Sequence, residues 1–428
     1  MRILVIGSGG REHAICWKLK QSPKVEKIFC IPGNPGIAEI ADCADISQTD
    51  FDDIYKFVRK EKIDLTVVGP EIPLVEGIVD YFNLNGLKIF GPSKNAAILE
   101  GSKIFSKNFM QRNKIPTASF ATFTSEERKE AEEYISKLNF PIVLKADGLA
   151  QGKGVIICKD YSEAVVSLNV FFNNNIFGRA GSKIVIEEFL FGEEASLFIL
   201  TDGENFVTLP SAQDHKKILD GDQGKNTGGM GAYSPAPVLN QQNLNEAIEQ
   251  IVIPTLRGMK NEGRTYRGCL YVGLMITNEG PKVIEYNCRF GDPETQSVLP
   301  LIDEDLCEIF NACANGKLMR KHLKFFDATA VCVVIASQGY PDNYEKNKII
   351  IGLDEIKNED GEIVFHAGTK NVDGKIFTNG GRVLGVTAIG FKNNLQNTID
   401  AAYKAVKKIH FDGMYYRSDI GLKGVKNI

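Results

Sequence analysis

The sequence predicts a multi-domain α/β protein, with a parallel-sheet N-terminal domain and a small mixed α+β C-terminal domain. Three observations carry that reading. The chain has 428 residues, which at about 150 residues per domain corresponds to roughly three domains. The first hundred residues alternate continuous apolar runs with polar helical stretches, the pattern of a parallel sheet covered on both faces. The last hundred hold short apolar strands, ATAVCVVIAS, EIVFHAGTKN and GRVLGVTAIG, followed by a helical stretch at 396–409.

Composition narrows the function classes. Fifty Lys+Arg against 54 Asp+Glu give a net charge of −4, with 43% hydrophobic and 24% charged residues. These values argue against a disordered or fibrous chain. They argue against nucleic acid as a partner, because a protein that tracks a phosphate backbone needs a basic excess. The nine cysteines are odd in number, contain no C-x-x-C, and lie in no zinc-ligand spacing. They read as reduced thiols. No apolar run approaches the ~18 residues of a membrane helix, and the N-terminus opens directly into a strand with no signal-peptide pattern. The expectation is a cytoplasmic protein with no membrane partner.

Along the N-terminal region the strands are RILVIG, KIFCIPG, LTVVGP and KIFGP, and the helices are REHAICWKLK, FDDIYKFVRKEK and IPLVEGIVDYFNLNG. Ligands of such sheets sit at the carboxyl ends of the strands. Those ends carry Gly7-Ser-Gly9-Gly10, Pro32-Gly33-Asn34-Pro35-Gly36, Gly69-Pro70-Glu71 and Gly91-Pro92-Ser93. A second region begins near Lys103. Thr124-Ser125-Glu126-Glu127 reads as a capping box opening a helix through Lys137. Strands follow at 141–146, 155–159 and 183–190, then at 195–201, 206–210, 270–277 and 281–287.

Several motifs carry chemistry. Gly7-Ser-Gly9-Gly10-Arg11-Glu12 has Glu12 where a dinucleotide fingerprint needs its third glycine, which argues against the nicotinamide reading. It reads either as a tight turn or as an anion site at a helix start, with Arg11 suited to a phosphate. The loop 147–154 contains Gly148, Gly152, Lys153 and Gly154. It is either a plain hairpin or a lid that lays backbone N–H groups on phosphate oxygens. Lys145, ending the strand before it, reaches toward a phosphate. In Val283-Ile284-Glu285-Tyr286-Asn287-Cys288-Arg289-Phe290, alternation puts Glu285, Asn287 and Arg289 on one face. This is either an edge strand with a polar outer face, which explains the alternation, or a metal site, since a carboxylate and an amide oxygen two apart are hard ligands suited to Mg²⁺. The segment 213–235, with QDHKK and NTGGMGAYSP, reads as a long glycine-dense loop, and such a loop is usually functional or disordered.

VIGSGGREHA, QDHKK, NTGGMGAYSPAP and VIEYNCRFGDPETQ, in this order and at these distances, resemble the phosphoribosylamine–glycine ligase family of the ATP-grasp superfamily. The resemblance runs from residue 1 to about 425. It implies an N-terminal substrate-binding domain at 1–102, ATP-grasp central domains at 103–325 with a small lid subdomain at about 123–190, and a C-terminal domain at 326–428. It also implies the reaction ATP + glycine + 5-phosphoribosylamine → ADP + phosphate + glycinamide ribonucleotide, through glycyl phosphate, in purine biosynthesis. A carboxylase or amino-acid ligase of the superfamily would lack NTGGMGAYSPAP. A non-catalytic nucleotide-binding module would be expected to have lost Lys145, Glu285, Asn287 or Arg289, and all four are present.

The resemblance further implies roles. Lys103 and Lys145 look like the two phosphate lysines, with Gly152, Lys153 and Gly154 in the phosphate loop. Glu187 and Leu190 look like the adenine hinge, and Glu194 the ribose acid. Glu285 and Asn287 look like the pair holding Mg²⁺ or Mn²⁺, and Arg289 the cation at the reacting phosphate. Asp214 and Asp292 are the candidates for the glycine ammonium, with Lys216 beside them, and Gly9, Gly10, Pro70 and Glu71 lie on the ribosylamine side. Lys145, Arg289 and Asp292 form the catalytic set. The small-molecule partners are ATP, glycine and 5-phosphoribosylamine, and the expected state is a monomer or weak dimer.

Overall fold

The computed structural model describes residues 1–149, 154–173, 182–356, 361–392 and 394–426. Strands Arg2–Gly7, Lys27–Pro32, Asp42–Cys43, Leu65–Val68 and Ile89–Phe90 pair in parallel. Arg2–Gly7 is central, flanked by Lys27–Pro32 and Leu65–Val68. Their apolar runs are continuous because both faces are covered. Leu4, Ile6, Phe29 and Ile31 enter one core, while Ile3, Val5, Ile28 and Cys30 enter another that includes Phe290, Phe310 and Phe365. The helix expected over 72–86 is two, Glu71–Glu76 and Ile78–Leu84, broken at Gly77 with φ +104°. Glycine adopts that left-handed conformation without steric penalty.

A small sheet forms the second layer, in the order Phe120–Thr124, Lys183–Glu188, Ile142–Ala146, Val155–Cys158. It has its own core, with Leu144, Ile184, Ile186, Ala164 and Leu168 packed under helices Arg128–Ile135 and Tyr161–Asn173. The expected capping box is present, with Glu127 accepting from the backbone N–H of Thr124 at 2.8 Å. A larger antiparallel sheet follows, in the order Phe206–Thr208, Glu193–Thr201, Gly268–Thr277, Gly280–Asn287. Its last pairing slips: Glu285 lies opposite Gly273 and Val283 opposite Leu274, leaving Ile284 unpaired. Such bulges re-aim side chains and recur beside active sites.

The segment 213–235, read from the sequence as a loop, is instead a set of short strands. Gln213–Asp214 pairs with Gly231–Ser234, which in turn pairs with Ala328–Ser337 of the C-terminal sheet. The rest of that sheet is Arg382–Phe391, Glu362–His366 and Met414–Tyr415. The glycines that suggested a loop permit close packing here. A Cβ on Gly231 would lie 2.7 Å from the Cys332 carbonyl oxygen. The chain end clamps the same segment: Arg417, fully buried, donates to the Lys217 carbonyl at 2.9 Å and pairs with Asp222 at 3.1 Å. Among the described residues, no helix is long and apolar enough to cross a membrane.

If Gly231–Ser234 must lie this close to the C-terminal sheet, Gly231→Val should destabilise the protein by about 1–3 kcal/mol through overpacking. Urea unfolding of the full chain measures this. A loss under about 0.5 kcal/mol, the range of indifferent surface changes, would show that the strand is not held there.

Candidate active site

The three layers converge on a cleft of about 1100 Å³. Lys103, Lys145, Gly154, Glu187, Leu190, Glu194, Asp214, Lys216, Glu285, Asn287, Arg289, Asp292 and Glu71 all line it. Gly9, Gly10 and Pro70 are not among its lining residues: Pro70 caps the helix that begins at Glu71, a Cβ on Gly9 would sit 3.3 Å from Asp292 Oδ2, and one on Gly10 would sit 2.5 Å from Gln296 Nε2. Gly152 and Lys153 fall outside the described residues.

The small sheet brings Lys145 and Glu187 together because Ile142–Ala146 and Lys183–Glu188 are paired neighbours. Lys145 Nζ lies 3.0 Å from Glu187 Oε2 and donates to the Ile284 carbonyl at 3.2 Å. The carbonyl of the bulged residue is thus a point where the small sheet contacts the large one. Lys107 shares the same carboxylate oxygen at 3.0 Å. Burial pushes its pKa down to about 8, with Glu187 resisting and Lys145 adding to the shift. The other oxygen, Glu187 Oε1, is buried and has no hydrogen-bond partner among the described residues.

Lys103 stands at the start of helix Lys103–Arg112 and donates to the Gly148 carbonyl at 2.8 Å. Burial lowers its pKa. Asp147 fixes the base of the glycine loop to the same helix start, accepting from Ser102 Oγ at 2.9 Å and from the Ile104 N–H at 3.1 Å. Gly154, at the loop's far end, accepts from the Ala146 N–H at 2.8 Å.

On the large sheet, Glu285, Asn287 and Arg289 are partly exposed while Tyr286, Cys288 and Phe290 are buried, the alternation expected from the sequence. Burial opposes ionisation of Glu285, but Lys216, Lys145, Lys103 and Arg289 hold its carboxyl below the usual range. Neither Glu285 nor Asn287 makes a side-chain hydrogen bond among the described residues. An ionised carboxylate and an amide oxygen, both free, are the donor set a hard divalent ion takes. Among the described residues no group of three His, Cys, Asp or Glu side chains could hold a metal alone. Arg289 is held between Glu100 at 3.0 Å and Glu71 at 3.3 Å.

At the next wall Lys216 pairs with Glu194. Burial works against its charge, but Glu194 and Asp214 outweigh that and lift its pKa well above the ordinary lysine value. Asp214 is pushed up to about 7 by burial, against the pull of Lys216 and with help from Glu294 and Glu194. Asp292 behaves oppositely. Burial would raise its pKa, yet Arg382 and Arg11 hold the carboxyl low.

The sequence reading missed Lys107, Glu100, Glu294 and Arg382. Lys107 carried a signal: it follows Lys103 by one helical turn, on the same face. Arg382 carried none, because it enters from a strand ninety residues down the chain.

Models of the phosphoribosylglycinamide synthetase N domain, ATP-grasp (A) domain and C domain match residues 1–100, 101–295 and 330–423. The chain belongs to the phosphoribosylglycinamide synthetase family. A relative named phosphoribosylamine–glycine ligase, from Caldanaerobacter subterraneus, is 50% identical over 420 residues, covering 98% of this chain and 99% of that one. The crystal structure of a phosphoribosylamine–glycine ligase from Thermotoga maritima superposes with a TM-score of 0.85 at 35% identity, covering 98% of this chain and 100% of that one. A biotin carboxylase from Campylobacter jejuni shares only the fold, with a TM-score of 0.75 at 15% identity, covering 99% and 94% of the two chains. Among phosphoribosylglycinamide synthetases and their fold relatives alike, the architecture therefore extends over the whole chain.

Because Lys107 and Lys145 share one buried carboxylate, Glu187→Gln should cost about 3–5 kcal/mol of stability by leaving two ammonium groups uncompensated. Chemical denaturation reads this. A loss below about 1 kcal/mol would place the three groups in solvent-screened surroundings.

Proposed function

We propose that this chain ligates glycine to 5-phosphoribosylamine with ATP, giving glycinamide ribonucleotide, ADP and phosphate by way of glycyl phosphate. The supporting observation is one cleft in which Lys103, Lys145 and Arg289 face the unpaired Glu285 and Asn287, in a chain that resembles ligases of that name along its full length.

The chemistry sets an anion against an anion. A glycine carboxylate oxygen attacks the γ-phosphorus of ATP and ADP departs. The ribosylamine nitrogen then attacks the acyl carbon and phosphate departs. Positive groups fixed in advance lower the first barrier, and one preorganised donor is worth about 2.7–4 kcal/mol. Arg289 is our candidate at the transferring phosphoryl group, since two carboxylates already fix its orientation. Lys103 and Lys145 take the remaining phosphate charge, with Gly154 and the loop it ends. Glu187, with its free Oε1, and Leu190 receive the adenine, and Glu194 the ribose hydroxyls. Glu285 and Asn287 would hold Mg²⁺ or Mn²⁺, whose charge would offset that of the phosphates.

Asp214, beside Lys216, is our candidate for the glycine ammonium, with Asp292 as the second carboxylate. Asp292, Arg289 and Lys145 surround the reacting atoms. Glu71, Pro70, Gly9 and Gly10 form the acceptor end. No cysteine is needed as a nucleophile, since among the described residues eight of the nine thiols are buried.

The decisive assay supplies ATP, divalent metal and glycine, with ribosylamine formed from ammonia and ribose 5-phosphate. Stoichiometric phosphate release should require both glycine and ribosylamine, and equal release without glycine would overturn the reading. Glu285→Ala should lower turnover by two or more orders of magnitude, on the scale of removing one preorganised catalytic group, in a protein that still unfolds cooperatively. Asp214→Asn should raise the KM for glycine about tenfold more than that for ATP. In the native protein Asp214 is protonated below about pH 7 and ionised above it. The glycine KM should accordingly fall as pH rises from 6 to 8, a trend absent from Asp214→Asn.

A further inference from the structure

The acceptor in the proposed reaction carries a phosphate ester, and the sequence offered the glycine turn at 7–10 as an anion site. The structure fills that turn with the protein's own carboxylate. Glu12, which is 2% exposed, accepts from the Gly9 N–H through Oε2 at 2.6 Å and pairs through Oε1 with Arg11. It wedges between two strand ends: a Cβ on Gly69 would lie 2.1 Å from Glu12 Oε1, and one on Gly7 would lie 2.4 Å from its Cγ. A phosphate brought to the same amide would meet a buried like charge. That end of the sheet suits hydroxyl or amine donors instead.

A different group is built for the phosphate. Arg382 lines the cleft from the C-terminal sheet. Its Nη1 donates to the carbonyls of Gly228 and Asp292, both at 2.6 Å, and lies 3.4 Å from Asp292 Oδ1. Among the described residues its Nε and Nη2 make no hydrogen bond. The guanidinium is therefore locked by one nitrogen while its two-donor edge stays free, the geometry that grips a phosphate or carboxylate through parallel bonds. Gly228 allows the lock, because a Cβ there would sit 3.0 Å from Arg382 Cζ. Tyr340 lines the same wall, and its hydroxyl oxygen accepts from the Gly228 N–H at 2.9 Å, which leaves the hydroxyl proton to donate.

We propose that Arg382, assisted by Tyr340, binds the phosphate monoester of the acceptor, so that the C-terminal domain supplies the acceptor's phosphate subsite. This rests on the ligase reading and specifies how the acceptor is held. The same guanidinium braces the backbone of Gly228 and Asp292, so a sugar amine without the phosphate forfeits the grip that the locked arginine offers.

The test uses the full chain and two probes, ribose 5-phosphate and ribose, with titration calorimetry for binding. Wild-type protein should bind ribose 5-phosphate at least about tenfold more tightly than ribose, as a charge-assisted fork implies. Arg382→Lys keeps the charge but loses the fork. It should weaken ribose 5-phosphate about tenfold and raise the ribosylamine KM in proportion. Trapping glycyl phosphate with hydroxylamine needs ATP and glycine but no ribosylamine, so its rate should change far less. Equal losses in the trapping and full reactions would reduce Arg382 to a structural brace and overturn the proposal. So would unchanged affinity for ribose 5-phosphate, or loss of that affinity on Arg11→Lys alone. Should Arg382→Lys fail to fold, Tyr340→Phe reads the same subsite, with ribose 5-phosphate weakened by about tenfold or more, the worth of a single hydrogen bond to a charged group. No weakening there overturns the proposal. Failure of the ligase reading is separate: the wild-type protein would then give no glycine-dependent ADP.

Discussion

The site depends on holding like-charged groups side by side away from bulk water. Lys107 and Lys145 each lie 3.0 Å from one carboxylate oxygen of Glu187, and each of the three side chains is under one-tenth exposed. Arg289 is treated the same way by Glu71 and Glu100. A buried cation without a partner loses its proton or unfolds its surroundings, so carboxylates must stand wherever positive charge is wanted. The two clusters are built in opposite proportion, since Arg289 is one cation between two carboxylates whereas Glu187 is one carboxylate between two cations. Glu187 serves two ammonium groups, so Lys145 can turn toward a phosphate while Lys107 still neutralises the acid.

Backbone irregularity does the rest of the positioning. The slip opposite Gly273 and Leu274 leaves Ile284 outside the ladder, and its carbonyl receives Lys145 from another sheet. Were Ile284 to take a regular place in the ladder, the alternation after it would be reversed, and Glu285 and Asn287 would face the core. One unpaired residue therefore both aims the hard oxygen pair into the cleft and provides the acceptor that ties the small sheet to the large one.

What the sequence made legible follows the reach of local rules. The parallel strands at 2–7, 27–32 and 65–68 were readable because a strand covered on both faces is apolar throughout. The face shared by Glu285, Asn287 and Arg289 was readable from alternation alone. The segment 213–235 was misread, because its glycines look like those of a loop. They are there because Gly231 lies against the Cys332 carbonyl and Gly228 against Arg382, contacts made with residues a hundred or more positions away. Arg382 itself was invisible for the same reason. Its neighbours in sequence, GRVLGVTAIG, report a strand and say nothing of the cleft at its end.

These long-range contacts change how the parts of the molecule relate. Gln213–Asp214 and Gly231–Ser234 lie within the stretch the sequence assigned to the ATP-grasp region, yet their hydrogen bonds belong to the C-terminal sheet. Asp214 and Lys216 are thus placed in the cleft by a sheet whose other strands begin more than a hundred residues later. Arg382 returns from that sheet to hold Gly228 and Asp292. Asp292 in turn follows the strand of Glu285 and Asn287 by five residues. A displacement of the C-terminal sheet would therefore move Asp214, the loop at 228 and the turn at 292 together. In a reaction whose two attacks must occur in order on one small intermediate, coupling the walls in this way is a physical reason for the C-terminal part to be built into the cleft and not appended beside it.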